Sequence, residues 1–132
     1  METLLEFGTI SSNKINLAID RHKIVVIRYN THGEDEARGN RHCGVFAYGT
    51  TKAGNDCIRV YEYKGDTTSF VPGWKLIRID RIISWHETSK TYDEAPDGFN
   101  TTGDNSMSSV YKVAEFKHSA IPEFGSQPKL IN

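Results

Sequence analysis

Between residues 23 and 87 the chain runs through five short segments dense in β-branched and aromatic residues, each closed by glycine or a polar cluster. They are Lys23–Tyr29, His42–Tyr48, Cys57–Tyr63, Trp74–Ile79 and a stretch from Arg81 to about Glu87. Such runs read as strands, and connections this short join antiparallel neighbours. Gly49 to Asp56 reads as the turn of a hairpin, and Lys64-Gly65-Asp66 ends the third strand. Ahead of the strands, Ser11 and Ser12 cap a segment in which Ile15, Leu17, Ala18 and Ile19 favour a short helix over 12–21. One helix followed by five strands predicts a mainly β fold, a small closed or nearly closed barrel. Closure would hide the aggregation-prone edges of so small a sheet.

The barrel unit spans residues 11–92, and an irregular extension and tail follow over 93–132. In the extension, Pro96, Gly98, Asn100, Gly103 and Ser106 mark loops, and Val110–Phe116 is a short strand or helical turn that docks on the barrel. The polar connection from Asn30 to Asn40 carries three consecutive acids at 34–36. The 132 residues suffice for one modest core. No apolar run has the length of a membrane span, and the acidic start, Met1 to Glu6, is unlike a secretion signal. Cys43 and Cys57 fall inside strands and read as buried reduced thiols, which places the protein in the cytoplasm.

Motifs for catalysis are lacking. No glycine-rich phosphate loop precedes a helix, and no strand-turn-helix nucleophile elbow occurs. The five histidines are scattered, and His42 and Cys43 are neighbours that point oppositely on a strand. The sequence therefore predicts no enzyme, no metal site and no cofactor. Asp97 and Asp104 read as turn formers.

The cations are more informative. The formal charge of −1 hides an asymmetry: residues 21–90 hold 12 Lys/Arg and 8 Asp/Glu, net +4, while the flanks hold 4 and 9, net −5. Within Trp74 to Ile82, cations at 75, 78 and 81 sit among large apolar residues. Alternation would place Leu76, Arg78, Asp80 and Ile82 on one face and Lys75, Ile77, Ile79 and Arg81 on the other. Arg41 opens the second strand and Arg59 sits mid-way along the third. A strand arginine requires a carboxylate, solvent or a ligand. A shared anion site explains the group economically, because guanidinium forks fit phosphate and stack on bases. Tyr61, Tyr48 and Trp74 are core aromatics or stacking faces for a base.

The order of these residues resembles the WYL domain, a small Sm-like barrel of bacterial regulators. The helix run Leu17-Ala18-Ile19-Asp20-Arg21 followed by Val25-Val26-Ile27-Arg28-Tyr29 is similar to the family's opening. Arg41 through Tyr48-Gly49 resembles its second strand, with Ala47 where proline is usual, and Asp56–Val60 takes the place of the namesake Trp-Tyr-Leu strand without its three letters. Lys75-Leu76-Ile77-Arg78-Ile79-Asp80-Arg81-Ile82 is the strongest match, and a trailing aromatic, Tyr92, also fits. The resemblance covers residues 14–92 and looks closest to stand-alone WYL-like proteins of tailed bacteriophages. Those share elements like Gly49–Asn55, Pro72–Lys75 and Gly103–Ser108.

The resemblance implies that Arg41, Arg59, Arg78 and Arg81, with Lys75 secondary, bind a nucleotide-like anion, and Tyr61 joins them as a stacking face. The ligand is single-stranded nucleic acid or a nucleotide second messenger, the latter sequestered from host defence in the host cytoplasm. With only about ten residues ahead of the helix, no DNA-reading helix-turn-helix is expected. The competing expectation is a structural or adaptor protein that binds a host or virion protein. Association of copies through exposed strands is expected in either case.

Overall fold

The structure is a computed structural model and describes residues 10–30 and 39–116. Among these the chain forms one helix, α1 (Ser12–Asp20), and six antiparallel strands: β1 (Lys23–Tyr29), β2 (Arg41–Thr51), β3 (Asp56–Gly65), β4 (Gly73–Arg78), β5 (Ile82–Thr91) and β6 (Met107–Val113). The acids at 34–36, the chain start and the tail from 117 lie outside the described residues.

Local chemistry sets the ends of α1. The Ser11 hydroxyl accepts the Lys14 N–H at 3.2 Å, as expected of an N-cap. At the other end His22 takes the left-handed conformation (φ 53°), and its N–H donates to the Ile19 carbonyl at 3.2 Å. Glycine usually fills that position. Here the imidazole packs against both Tyr92 and Phe116, each centroid 4.7 Å away. α1 buries Ile15, Ala18 and Ile19 against β1 and β2.

The sheet order is β4-β3-β2-β1-β5, with β6 also on β2. One face carries the core: Val25, Ile27, Cys43, Val45, Ile58, Val60 and Ile77, each at most 2 % exposed. β2 shares one of its edges between two partners. Cys43 and Gly44 lie beside β1, whereas Ala47 to Thr51 lie beside β6. The change occurs at Phe46, the extra residue between the pairs Val45–Val60 and Ala47–Arg59. Such a bulge bends the strand and turns two successive side chains to the same side.

The expected closed or nearly closed barrel is not formed: the sheet is open. The reason lies in strand direction. β4 opposes β3, β3 opposes β2, β2 opposes β1 and β1 opposes β5, so β4 and β5 run the same way. Parallel neighbours need a crossover of a dozen or more residues, but only the 3-10 turn Ile79–Arg81 lies between them. β5 therefore continues β4 around a corner. Four residue steps from Arg78 to Ile82 span at most about 14 Å, so the two sheet edges converge there without pairing. The alternation expected through residue 82 holds to Arg78 and is reset by this turn, which buries both Ile79 and Ile82.

Glycine is required where rings lie on the strand. A Cβ at Gly44 would sit 2.8 Å from Phe46 Cε2 and 2.9 Å from Tyr92 Cδ2, whereas nothing lies within 4 Å at Gly73. Gly44→Ala is expected to lower unfolding stability by about 1–3 kcal/mol in urea titration. Gly73→Ala should stay within roughly 0.5 kcal/mol of the parent.

Candidate functional site

Away from the core, the second face of the sheet is set out in rows by the register. One row carries Lys64, His42, Val26 and His86 on β3, β2, β1 and β5, with Arg28 opposite Ser84 just beyond it. The next carries Trp74, Tyr61, Gly44 and Ile24. The third holds Leu76, Arg59 and Ala47, and the last Arg78, Cys57 and Gly49.

The middle and far rows are covered by the segment that follows β5. Tyr92 stacks on Phe46 at 4.2 Å and donates its hydroxyl to the Val45 carbonyl at 2.7 Å. Trp74 donates its indole N–H to the Asp97 carbonyl at 2.7 Å, and Phe99 lies over it at 6.3 Å. Asp104 reaches Arg59 at 3.1 Å and also accepts the Ser106 N–H at 2.7 Å, the turn-forming bond expected of it. Arg59 lies over the Trp74 ring, 5.2 Å from its centroid. The aromatics Tyr61 and Trp74, in edge contact at 5.2 Å, thus pack against the core, which reaches this face through Phe46 and Tyr92.

The expected site residues do not share one pocket. Arg59, Tyr61 and Arg78 fall on the second face, but Arg41 points into the core face, opposite Ile27. Lys75 has the core-face parity of Ile77 and is exposed on the β4 edge; Arg81 is in the 3-10 turn, its carbonyl accepting the Asn30 N–H at 3.0 Å. Three of the arginines already have carboxylate partners. Arg78 grips Asp80 with two hydrogen bonds, 3.0 and 2.6 Å, and these hold the Asp80 carboxyl below its usual range.

Arg41 is 4 % exposed and Glu62 1 %, at 3.7 Å from each other. The Arg41 guanidinium also donates to the Asn40 carbonyl and to Thr67, and lies over the Phe70 ring. Glu62 accepts the Tyr29 hydroxyl at 2.5 Å. Burial, then that bond to a carboxylate, pushes the Tyr29 phenol well above its ordinary value. Burial likewise raises the Cys43 thiol, which is free, as is Cys57.

The row of Lys64, His42, Val26 and His86 is different. Lys64, His86 and Arg28 are exposed and His42 is half-buried. Among the described residues none of the four polar groups lies in an ion pair. At strand spacing the row spans about 14 Å. Tyr63, beside Lys64, is exposed and meets the Tyr61 ring at 5.0 Å, so it borders the row on the same face. Ammonium, guanidinium and imidazole donors at this spacing suit successive oxygens of a phosphate ligand, and Tyr63 offers a stacking surface. Sequence reading missed this set because Arg28, His42 and His86 are ordinary outward positions on their own strands and Lys64 lies past the expected end of the third strand, which in the structure runs on to Gly65. Only the register, Val26 opposite both His42 and His86, brings them together.

No three His, Cys, Asp or Glu side chains form a metal-ligand group among the described residues, and no described helix is long and apolar enough to cross a membrane. No family model, curated protein or solved structure matches this chain.

The folded state holds the Tyr29 proton more tightly than the unfolded chain does, so this contribution is present below pH ~10 and is lost as pH rises further. Tyr29→Phe should therefore be less stable at neutral pH. Above pH ~10 its stability should fall more gently than the parent's, by about 1.4 kcal/mol per pH unit in denaturant titrations.

Proposed function

We propose that this protein is a non-enzymatic, WYL-like module that holds a nucleotide-like anion on the uncovered half of its second face. The carrying observation is the row of nitrogen donors formed by the cations Arg28 and Lys64 and the imidazoles of His42 and His86 on four adjacent strands, without ion-pair partners among the described residues. Arg41, Arg59 and Arg78 are engaged elsewhere, so in this reading they shape the scaffold, while Arg81, at the same end as Arg28, and Lys75 add long-range positive potential. A capped helix followed by five antiparallel strands, curled so that two edges meet at the Ile79–Arg81 turn, supports the Sm-like comparison. The two buried thiols support a cytoplasmic setting, the host's if the chain is phage-encoded.

Of the two ligands, a single strand is favoured by the width of the row and by the flanking Tyr63, which suit a chain of phosphates with a stacked base better than one compact messenger. Oligothymidylate binding, followed by anisotropy across salt, should show a slope of log K against log salt of about −1.4, as the two charges of Arg28 and Lys64 require. Arg28→Glu with Lys64→Glu should abolish binding, and Tyr63→Ala should weaken it by about 1–3 kcal/mol. Arg78→Ala should leave it nearly unchanged. A flat salt response, with a small nucleotide leaving the purified protein on denaturation, would assign the face to a messenger.

A further inference from the structure

β6 uses one edge on β2; among the described residues its other edge has no strand beside it. The end of β6 from Val110 and the residues 114–116 that follow it line a cleft of about 1100 Å³, together with Asp20, residues 93–95, Phe99 and Thr101. The volume lies just beyond the ~300–1,000 Å³ usual for small ligands. Its apolar floor is firm, because Phe99 packs on both Trp74 and Phe116. Val110 and Tyr111 are 40 % and 51 % exposed along the edge.

The charge of the cleft is opposite to that of the cationic row. Asp20, Asp93, Glu94 and Glu115 line it against a single cation, Lys112. An edge lysine ordinarily guards a free strand against pairing, yet Lys112 is drawn aside to Asp20 at 2.6 Å. These acids do not gather into a metal-ligand group. They suit cations spread along an extended chain. With Asp20 paired to Lys112, a second copy docking by the same edge would bring three uncompensated acids against three, since a twofold contact repeats the same patch.

We propose that the β6 cleft binds an extended basic peptide of a partner protein, added as a further strand. Main-chain hydrogen bonds to the free edge would supply affinity, and the acidic rim would select lysine or arginine at alternate positions. This surface is separate from the cationic row and does not depend on it.

The test uses the full chain and two blocked, labelled peptides about ten residues long, the upper end of ordinary strand length, one alternating valine with lysine and one valine with glutamate. Anisotropy should show binding of the lysine peptide alone. The exposed double substitution Asp93→Lys with Glu94→Lys should weaken it at least about tenfold and favour the glutamate peptide, with the circular dichroism of the parent retained. Amide exchange over residues 108–113 should slow in the complex. Equal binding of both peptides, or binding without slower exchange at β6, would overturn the proposal. So would a concentration-dependent dimer abolished by the same substitutions, which assigns the edge to a second copy, or a large gain in affinity on deleting residues 117–132, which assigns it to the chain's own end.

Discussion

The arrangement depends on β2 serving three strands. One edge of β2 is committed to β3 along its whole length, and the other is divided at Phe46 between β1 and β6. Alternation from Gly44 puts Phe46 on the second face, where Tyr92, Trp74 and Phe99 collect around it, and the bulge keeps Ala47 on that same face. Residues 92–106 are thereby fixed over the β3–β4 side of that face. What they do not cover is the end formed by β1, β5 and the start of β2. Burying an aromatic ring fully among others gains area and ring-geometry energy together, so the strand is held at its bulge by the cluster beside it.

The same division sorts the charges. Where the following segment covers the sheet, Asp104 meets Arg59; where β2 begins in the core, Glu62 meets Arg41. A buried guanidinium without a partner would be costly, and removing one member of such a pair leaves the other charge stranded. The neutralised arginines therefore belong to the architecture. Cations on the uncovered end have water for a partner and remain available, while acids concentrate beside β6. Two oppositely charged surfaces on one small domain follow from where one strand changes neighbours.

Much of the fold was legible in the sequence. β1 matches its expected limits, the Ser11 cap begins α1 where expected, and the density of β-branched residues located the other strands to within a few positions. Openness was not legible, because the direction of β5 depends on whether Ile79–Arg81 turns back or continues, and Arg-Ile-Asp-Arg carries no glycine or proline to mark a corner. The candidate site was less legible still. Clustering of Arg59 and Arg78 on one face could be read from alternation, but their partners Asp104 and Asp80 could not be separated from solvent exposure. Arg28, His42, Lys64 and His86 lie far apart in sequence, and their meeting is a matter of register.

The ring cluster around Phe46 seals one end of the second face and leaves the other open. Amide chemical-shift mapping of the full chain with oligothymidylate addresses it directly. Shifts are expected at Val26, Arg28, His42, Lys64, Ser84 and His86, with Arg59, Tyr61 and Trp74 undisturbed. Shifts centred on Arg59 and Trp74, with the row of Val26 unaffected, would contradict it.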